Sequence, residues 1–101
     1  MTDKDILRTA ARAEGTINEF NAWKGEDSSL ETSAGLVWNP LSCAGQRYDL
    51  AKKLDMQINF ELQYVKFYAG GGYENVISWP DDAADDAYAI VMAAAVIGAS
   101  L

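Results

Sequence analysis

LVWNPLSCAGQRYDLAKKL, residues 36–54, contains the sharpest boundary between two elements in the sequence. Pro40 cannot donate a backbone hydrogen bond and disfavours helical geometry at Asn39, so a strand that includes Trp38 must end there. Ser42 is of a residue type favoured at a helix N-cap. The stretch therefore predicts a strand anchored in the core by Trp38, then a turn, then a helix capped by Ser42.

The helix that follows is predicted to have one apolar side, because apolar residues recur in it at helical spacing. Those expected to face the core are Ala44, Tyr48, Leu50, Ala51 and Leu54, and those expected to face outward are Gln46, Arg47, Asp49, Lys52 and Lys53. Each residue of the preceding turn has a sufficient structural role. This favours a boundary between elements over the lip of an active site.

The first third of the chain predicts a helix and a β-hairpin. Thr2, with Asp5 three residues later, has the pattern of a capping box, and Gly15 is a typical helix end. Residues 17–24 alternate in the manner of a strand, and the GEDSS segment that follows has the composition of a turn. Residues 30–38 are then expected to form the returning strand.

The strongest β signal lies in residues 56–79. Apolar residues occupy one face of the predicted strand and then change register: Ile58, Phe60 and Leu62 are followed by Val65 and Phe67. Because side chains alternate with period two, such a change implies a bulge or sharp twist near Tyr64. The three glycines at 70–72 predict a turn, after which residues 73–79 pair back.

The last predicted helix begins with acidic residues and continues without charge. Pro80 precedes four aspartates that are expected to fill its first turns, where negative charge meets the positive end of the helix dipole: Asp81, Asp82, Asp85 and Asp86. Residues 87–101 carry no charge, and this run is shorter than the ~20 residues needed to cross a bilayer. We therefore expect a helix buried in the domain or in a subunit interface.

Together these elements predict a single α+β domain over residues 1–101. The expected order is helix, two strands, helix, two strands, helix. The sheet is expected to be antiparallel, with about four strands packed by the helices.

Composition excludes some functions and favours others. The chain has 101 residues, with 15 acidic and 8 basic residues and a net charge of −7. Such a chain is not expected to bind nucleic acid or an anionic membrane directly, since both need a cationic face. The single cysteine fits a reducing cytoplasm, and the first residues lack the apolar core of a signal peptide.

Few residues in the sequence are candidates for catalysis or metal binding. The sequence has no histidine, which removes the commonest general base and zinc ligand. Cys43 in a first helical turn could be a reactive thiolate, but a small half-buried structural residue is the more ordinary interpretation. The pairs Asp81/Asp85 and Asp82/Asp86 could share a hard cation in a small metal-dependent enzyme, although helix capping explains them without one. We expect no enzyme activity, no metal and no cofactor.

Three segments carry a family resemblance: TDKDILRTAARAEG at the start, WNPLSCAGQRYDLAKKLDM in the centre and DDAADDAYAIVMAAAVIG at the end. Together they resemble small tailed-phage and prophage proteins of the phage ABA-sandwich group. The resemblance implies an α+β layered fold and a location in the host cytoplasm. The group has no established activity, so the resemblance implies no functional residues.

Two functional classes remain besides the metal-dependent enzyme. The first is an accessory protein that binds a host protein, because phages carry small acidic inhibitors of host defence, anti-CRISPR proteins among them. An acidic surface suits a basic nucleic-acid-binding partner. The second is a structural or other accessory role. In either class the chain is expected to be a monomer or a homodimer. The residues expected to contact a partner surround the first hairpin: Glu19, Glu26, Asp27 and Glu31.

If this hairpin contacts a basic partner, reversing Glu26 and Asp27 to lysine should slow association while the fold is kept. Attraction between opposite charges speeds the encounter of the two partners. The difference in association rate between the unchanged protein and the variant should therefore shrink as salt is added. The measurement is the association rate of both proteins across a salt series. Equal rates at every ionic strength would show that the hairpin is not the contact.

Overall fold

The computed structural model of the chain describes residues 2–21 and 28–101, and for residues 19–21 and 28–29 it describes the backbone alone. Within these residues the chain is α+β, with three helices and five strands. In chain order they are α1 (Asp3–Glu14), β1 (Asn18–Asn21), β2 (Ser28–Glu31), α2 (Ala44–Lys53), β3 (Gln57–Asn59), β4 (Tyr64–Ala69), β5 (Tyr73–Ser78) and α3 (Asp86–Ala99). No helix in the described part is long and apolar enough to cross a membrane.

The strands form two antiparallel sheets. β1 pairs with β2 as a hairpin, and β3, β4 and β5 form a three-stranded sheet in that order. The α+β class, the three helices and the antiparallel pairing are confirmed, but a sheet of about four strands is not. Residues 58–67 do not form one strand, because the chain reverses at residues 60–63 and Ile58 pairs with Val65. The change of apolar register thus marks a tight turn and not a bulge.

The core is built around α3. On one side, α3 packs against the inner face of the three-stranded sheet, where Val65, Phe67 and Ile77 are buried. On another side, it shares a second apolar cluster with α1, Trp38 and Leu50. Most of the uncharged segment is therefore buried within the described part of the chain, which is one of the two outcomes expected for it, whereas Val96 and Leu101 are exposed.

α1 and α3 run in the same direction and lie unusually close. Near their starts, the Tyr88 hydroxyl donates to the Asp3 carboxylate at 2.7 Å. This hydrogen bond raises the pKa of Tyr88. Near their ends, a Cβ added at Gly98 would lie 1.9 Å from the Thr9 carbonyl oxygen. Glycine is thus required at position 98 by the contact between backbones and not by its conformational freedom.

The start of α1 is a capping box, as predicted. The Thr2 hydroxyl accepts the Asp5 backbone N–H at 3.2 Å, and the Thr2 hydroxyl and N–H both point to the Asp5 carboxylate. Donation by the Thr2 side chain and backbone lowers the pKa of Asp5. The stabilisation is therefore present above the ordinary carboxyl pKa and is lost as pH falls through the lowered value. Gly15 ends the helix in the left-handed conformation.

The predicted strand over residues 30–38 folds back on itself. β2 ends at Glu31, residues 33–35 turn, and Glu31 then bridges Val37. The Trp38 N–H donates to the Leu30 carbonyl. This small loop brings Trp38 into the core, where it is 4% exposed, so its predicted role as an anchor is confirmed.

Gln46 holds the turn between this loop and α2. Its amide oxygen accepts the Asn39 N–H at 2.6 Å and its amide nitrogen donates to the Val37 carbonyl at 2.8 Å. The next residue, Arg47, donates to the carbonyls of Pro40 and Leu41. The prediction that both side chains face outward is wrong, because the turn leaves backbone groups that need these partners.

The predicted cap of α2 is also wrong. Cys43, and not Ser42, is the N-cap, and its side chain makes no capping hydrogen bond. Ser42 Oγ instead donates to the Asn39 carbonyl at 3.3 Å. Within the helix, the expected core residues divide: Leu50 and Ala51 are buried and Leu54 is partly buried, whereas Ala44 and Tyr48 are exposed.

The close approach of α1 and α3 predicts opposite effects for two glycine substitutions. Gly98→Ala should lower the free energy of unfolding by about 1–3 kcal/mol, because the added Cβ forces the two backbones apart. Gly45→Ala in α2 meets nothing within 4 Å and should raise it by about 0.5–1 kcal/mol through helix propensity. Urea denaturation of both variants gives the comparison. Stabilisation by Gly98→Ala would contradict the described contact.

Candidate protein-binding surface

Three aromatic side chains form a chain of ring contacts on the surface, which we call the aromatic row: Tyr48, Phe60 and Trp79. The Tyr48 and Phe60 ring centroids are 6.4 Å apart and those of Phe60 and Trp79 are 6.1 Å apart, both edge to face. Tyr48 is 41% and Phe60 54% exposed. The Arg47 guanidinium lies 5.6 Å from the Tyr48 ring centre. Edge-to-face packing of this kind is a favoured arrangement of aromatic rings, and here Tyr48 and Phe60 are exposed while Trp79 is half-buried.

Separate elements contribute each ring. Tyr48 is on the outer side of α2, and Phe60 begins the turn at residues 60–63. Trp79 follows β5, where its N–H donates to the Gln63 carbonyl at 3.0 Å and its ring packs against the core. Leu62, in the same turn, is 69% exposed. The turn that replaces the expected bulge therefore presents apolar side chains to solvent.

Negative charge is concentrated in the part of the chain that supplies this turn. Residues 54–101 contain one basic residue, Lys66, and seven acidic ones: Asp55, Glu61, Glu74, Asp81, Asp82, Asp85 and Asp86. This part carries a net charge of −6, whereas residues 1–53 carry −1. The aromatic row thus lies partly on the strongly acidic half of the sequence, and Glu61 and Asp81 are close neighbours of its members in the chain.

The aspartates between β5 and α3 have structural contacts that differ from those predicted. α3 begins at Asp86, and its N-cap is Asp85, whose carboxylate accepts the Tyr88 N–H at 2.9 Å. Asp82 lies before the helix and accepts the Ser78 N–H at 3.0 Å. The prediction that Asp81 and Asp82 fill the first helical turn is therefore wrong. Their supposed pairing with Asp85 and Asp86 on one helix does not exist.

No cluster of three or more His, Cys, Asp or Glu side chains that could hold a metal occurs among residues 2–21 and 28–101. Cys43 is exposed at the start of α2, and not half-buried as expected. The expectation that Cys43 is structural and not a reactive thiolate stays a prediction.

The residues predicted to contact a partner are only partly described. Glu26 and Asp27 lie outside the described residues, and for Glu19 the backbone alone is described, paired with Leu30. Glu31 is half-buried at the end of β2. The aromatic row was missed because Phe60 was expected to lie within a strand and Tyr48 was expected to face the core. The uneven distribution of charge along the sequence could have pointed to this region.

The contacts of the aspartates predict unequal effects on stability. Asp85→Ala should lower the free energy of unfolding by about 0.5–2 kcal/mol, since it removes the N-cap of α3. Asp81→Ala should change it by less than about 0.5 kcal/mol, because Asp81 is exposed and bonds to no described residue. Thermal or urea unfolding measures both. Equal losses in the two variants would refute the assignment of the cap.

Comparisons of the chain with protein-family models, with curated proteins and with solved structures give no match.

Proposed function

We propose that this chain is a small acidic phage accessory protein that acts by binding a basic host protein. The observation that supports the proposal best is the aromatic row, in which Tyr48 and Phe60 are exposed and two of the three members belong to the strongly acidic residues 54–101. Tyrosine and tryptophan are enriched among the residues that dominate the binding energy of protein interfaces, and the aromatic row contains both. Since Trp79 is anchored in the core, these rings would lose little conformational freedom on binding.

Charge supports a basic partner. A net charge of −6 over residues 54–101 would attract a positively charged surface over a distance of about one Debye length, roughly 8 Å at physiological salt. Aromatic contacts would then supply the short-range affinity, while charge complementarity would raise the association rate and reject acidic proteins. A basic host surface that ordinarily holds nucleic acid fits this combination.

The phage context comes from the resemblance of the three quoted segments to the phage ABA-sandwich group. In that context, the partner would be a host protein in the host cytoplasm, and occupation of its nucleic-acid-binding surface would inhibit it. Inhibition of a host defence protein, in the manner of anti-CRISPR proteins, is the specific form we propose. No catalytic step, metal or cofactor is part of this proposal.

Affinity capture tests the proposal. The tagged chain is incubated with bacterial host lysate treated with nuclease, and a stoichiometric basic protein should be retained and released by high salt. The Kd of the purified partner should then rise at least tenfold for Phe60→Ala, because truncation of a residue at the centre of an interface costs about 2 kcal/mol or more and a tenfold rise corresponds to about 1.4 kcal/mol.

Tyr73→Ala is the matched control. Tyr73 is 75% exposed, more than any member of the aromatic row, but has no ring contact with the row. The Kd of the Tyr73→Ala variant for the partner should remain within about twofold of that of the unchanged protein. Circular dichroism should show that both variants are folded. The proposal fails if no basic protein is retained, or if both substitutions weaken binding equally.

A further inference from the structure

The three-stranded sheet has an edge at β5 that is open over part of its length. β5 pairs with β4 and with no other strand of the described chain. The other edge strand, β3, has three residues, whereas β5 has six. An edge strand of that length offers unpaired backbone groups to another strand.

The hydrogen-bond alternation identifies those groups. Because Trp79 N–H donates to the Gln63 carbonyl, the pairs that exchange bonds with β4 continue at alternate residues, through Ile77 and Asn75. The N–H and C=O groups of Ser78, Val76 and Glu74 therefore point away from β4. We call the backbone groups of Glu74 and Val76 the open edge.

Ser78 is not part of the open edge, because its outward groups already have partners. Its N–H donates to Asp82 Oδ2 at 3.0 Å, and its carbonyl accepts the N–H groups of Asp82 and Ala83. The segment after β5 thus closes one end of the edge. An incoming strand has four backbone groups to pair with, two on each of Glu74 and Val76.

Side chains beside the open edge define what could bind there. On the outer face of the sheet, Val76 is 50% and Tyr68 49% exposed, and no described helix packs on them. Glu74 lies on the same face, with Lys66 Nζ 3.1 Å from its carboxylate. That hydrogen bond raises the pKa of Lys66. Glu74 remains 53% exposed and can accept a second cation.

We infer that the open edge binds an extended protein segment that adds a fourth strand to the sheet. The segment carries Lys or Arg opposite Glu74 and an apolar residue opposite Val76, because cross-strand neighbours of these kinds are stabilising. Charge decides against a second copy as the occupant, since two chains of −7 repel each other and β5 brings no free cation to its own edge. The inference rests on the proposed function only in taking the partner to be a basic protein.

A defined peptide tests the edge without knowledge of the partner. The probe is a capped Thr-Lys-Thr-Val-Thr-Lys-Thr peptide, whose lysines flank valine symmetrically so that either strand direction places a lysine opposite Glu74. Its control replaces both lysines with glutamate. Amide hydrogen exchange should slow at Glu74 and Val76 on addition of the first peptide. Asn75 should not change, because its N–H already bonds to β4.

Single substitutions test separately the contributions of the backbone groups and of the Glu74 charge to peptide binding. Val76→Pro removes an outward N–H and no bond to β4, and should weaken the peptide at least tenfold in calorimetric titration. Glu74→Lys should weaken peptide binding to the same extent, because it replaces the attractive charge with a repulsive one. Glu61→Lys makes an equal charge change in the turn at residues 60–63, and its Kd for the peptide should stay within about twofold of the unchanged protein at physiological salt. If Val76→Pro does not fold, the comparison of the two lysine variants and the hydrogen-exchange data still show whether the peptide binds at the open edge.

In the peptide experiments, any one of these results would overturn the inference: unchanged exchange at Glu74 and Val76, equal binding of the two peptides, or equal weakening by Glu74→Lys and Glu61→Lys. A dimer in sedimentation that Val76→Pro dissociates would assign the edge to a second copy and also overturn it. The outcomes are distinct from those of the proposed function. If Phe60→Ala abolishes capture of the host protein and Val76→Pro does not, the proposed function is supported and the inference that the open edge binds the partner is refuted.

Discussion

Burial of α3 on two sides is the constraint on which the rest of the structure depends. After Asp86 this helix carries no charged side chain, so it has no face suited to water and must be covered by more than one element. The three-stranded sheet covers one side and α1 covers another, with Gly98 allowing the backbones of α1 and α3 to meet. Among the described residues, helices therefore pack on one face of the sheet only, and Val76 and Tyr68 on the outer face are exposed.

Local signals predicted the boundaries that depend on a single residue's chemistry. The capping box at Thr2, the left-handed Gly15 and the turn at Pro40 are examples, because each follows from backbone geometry within a few residues. The alternation of residues 58–67 was misread because a tight turn and a bulge both change the apolar register. Gln63, with a positive φ of 58°, gives no glycine signal at that turn.

Contacts with residues distant in the sequence explain most of the remaining differences between the predicted and the observed structure. Gln46 and Arg47 look like outward helix residues in sequence, yet they satisfy backbone groups seven residues away from them. Asp82 resembles a helix-start residue, but the chain bends so that it meets Ser78. The aromatic row likewise joins α2, a turn and the end of β5, and no periodicity within one element could have revealed it. What the sequence does contain is its unequal distribution of charge.

The Asp82–Ser78 contact also bears on how the molecule behaves at high concentration. Sheets grow into fibrils when each added strand exposes a new edge like the one it covered. Here one end of β5 is closed by its own chain, and the far side of the sheet ends in the short β3. A strand from a second copy would bring like charge to this edge, and the edges that it exposed in turn would again be short or closed. An open edge that is short and closed at one end by its own chain is a poor template for growth of a sheet.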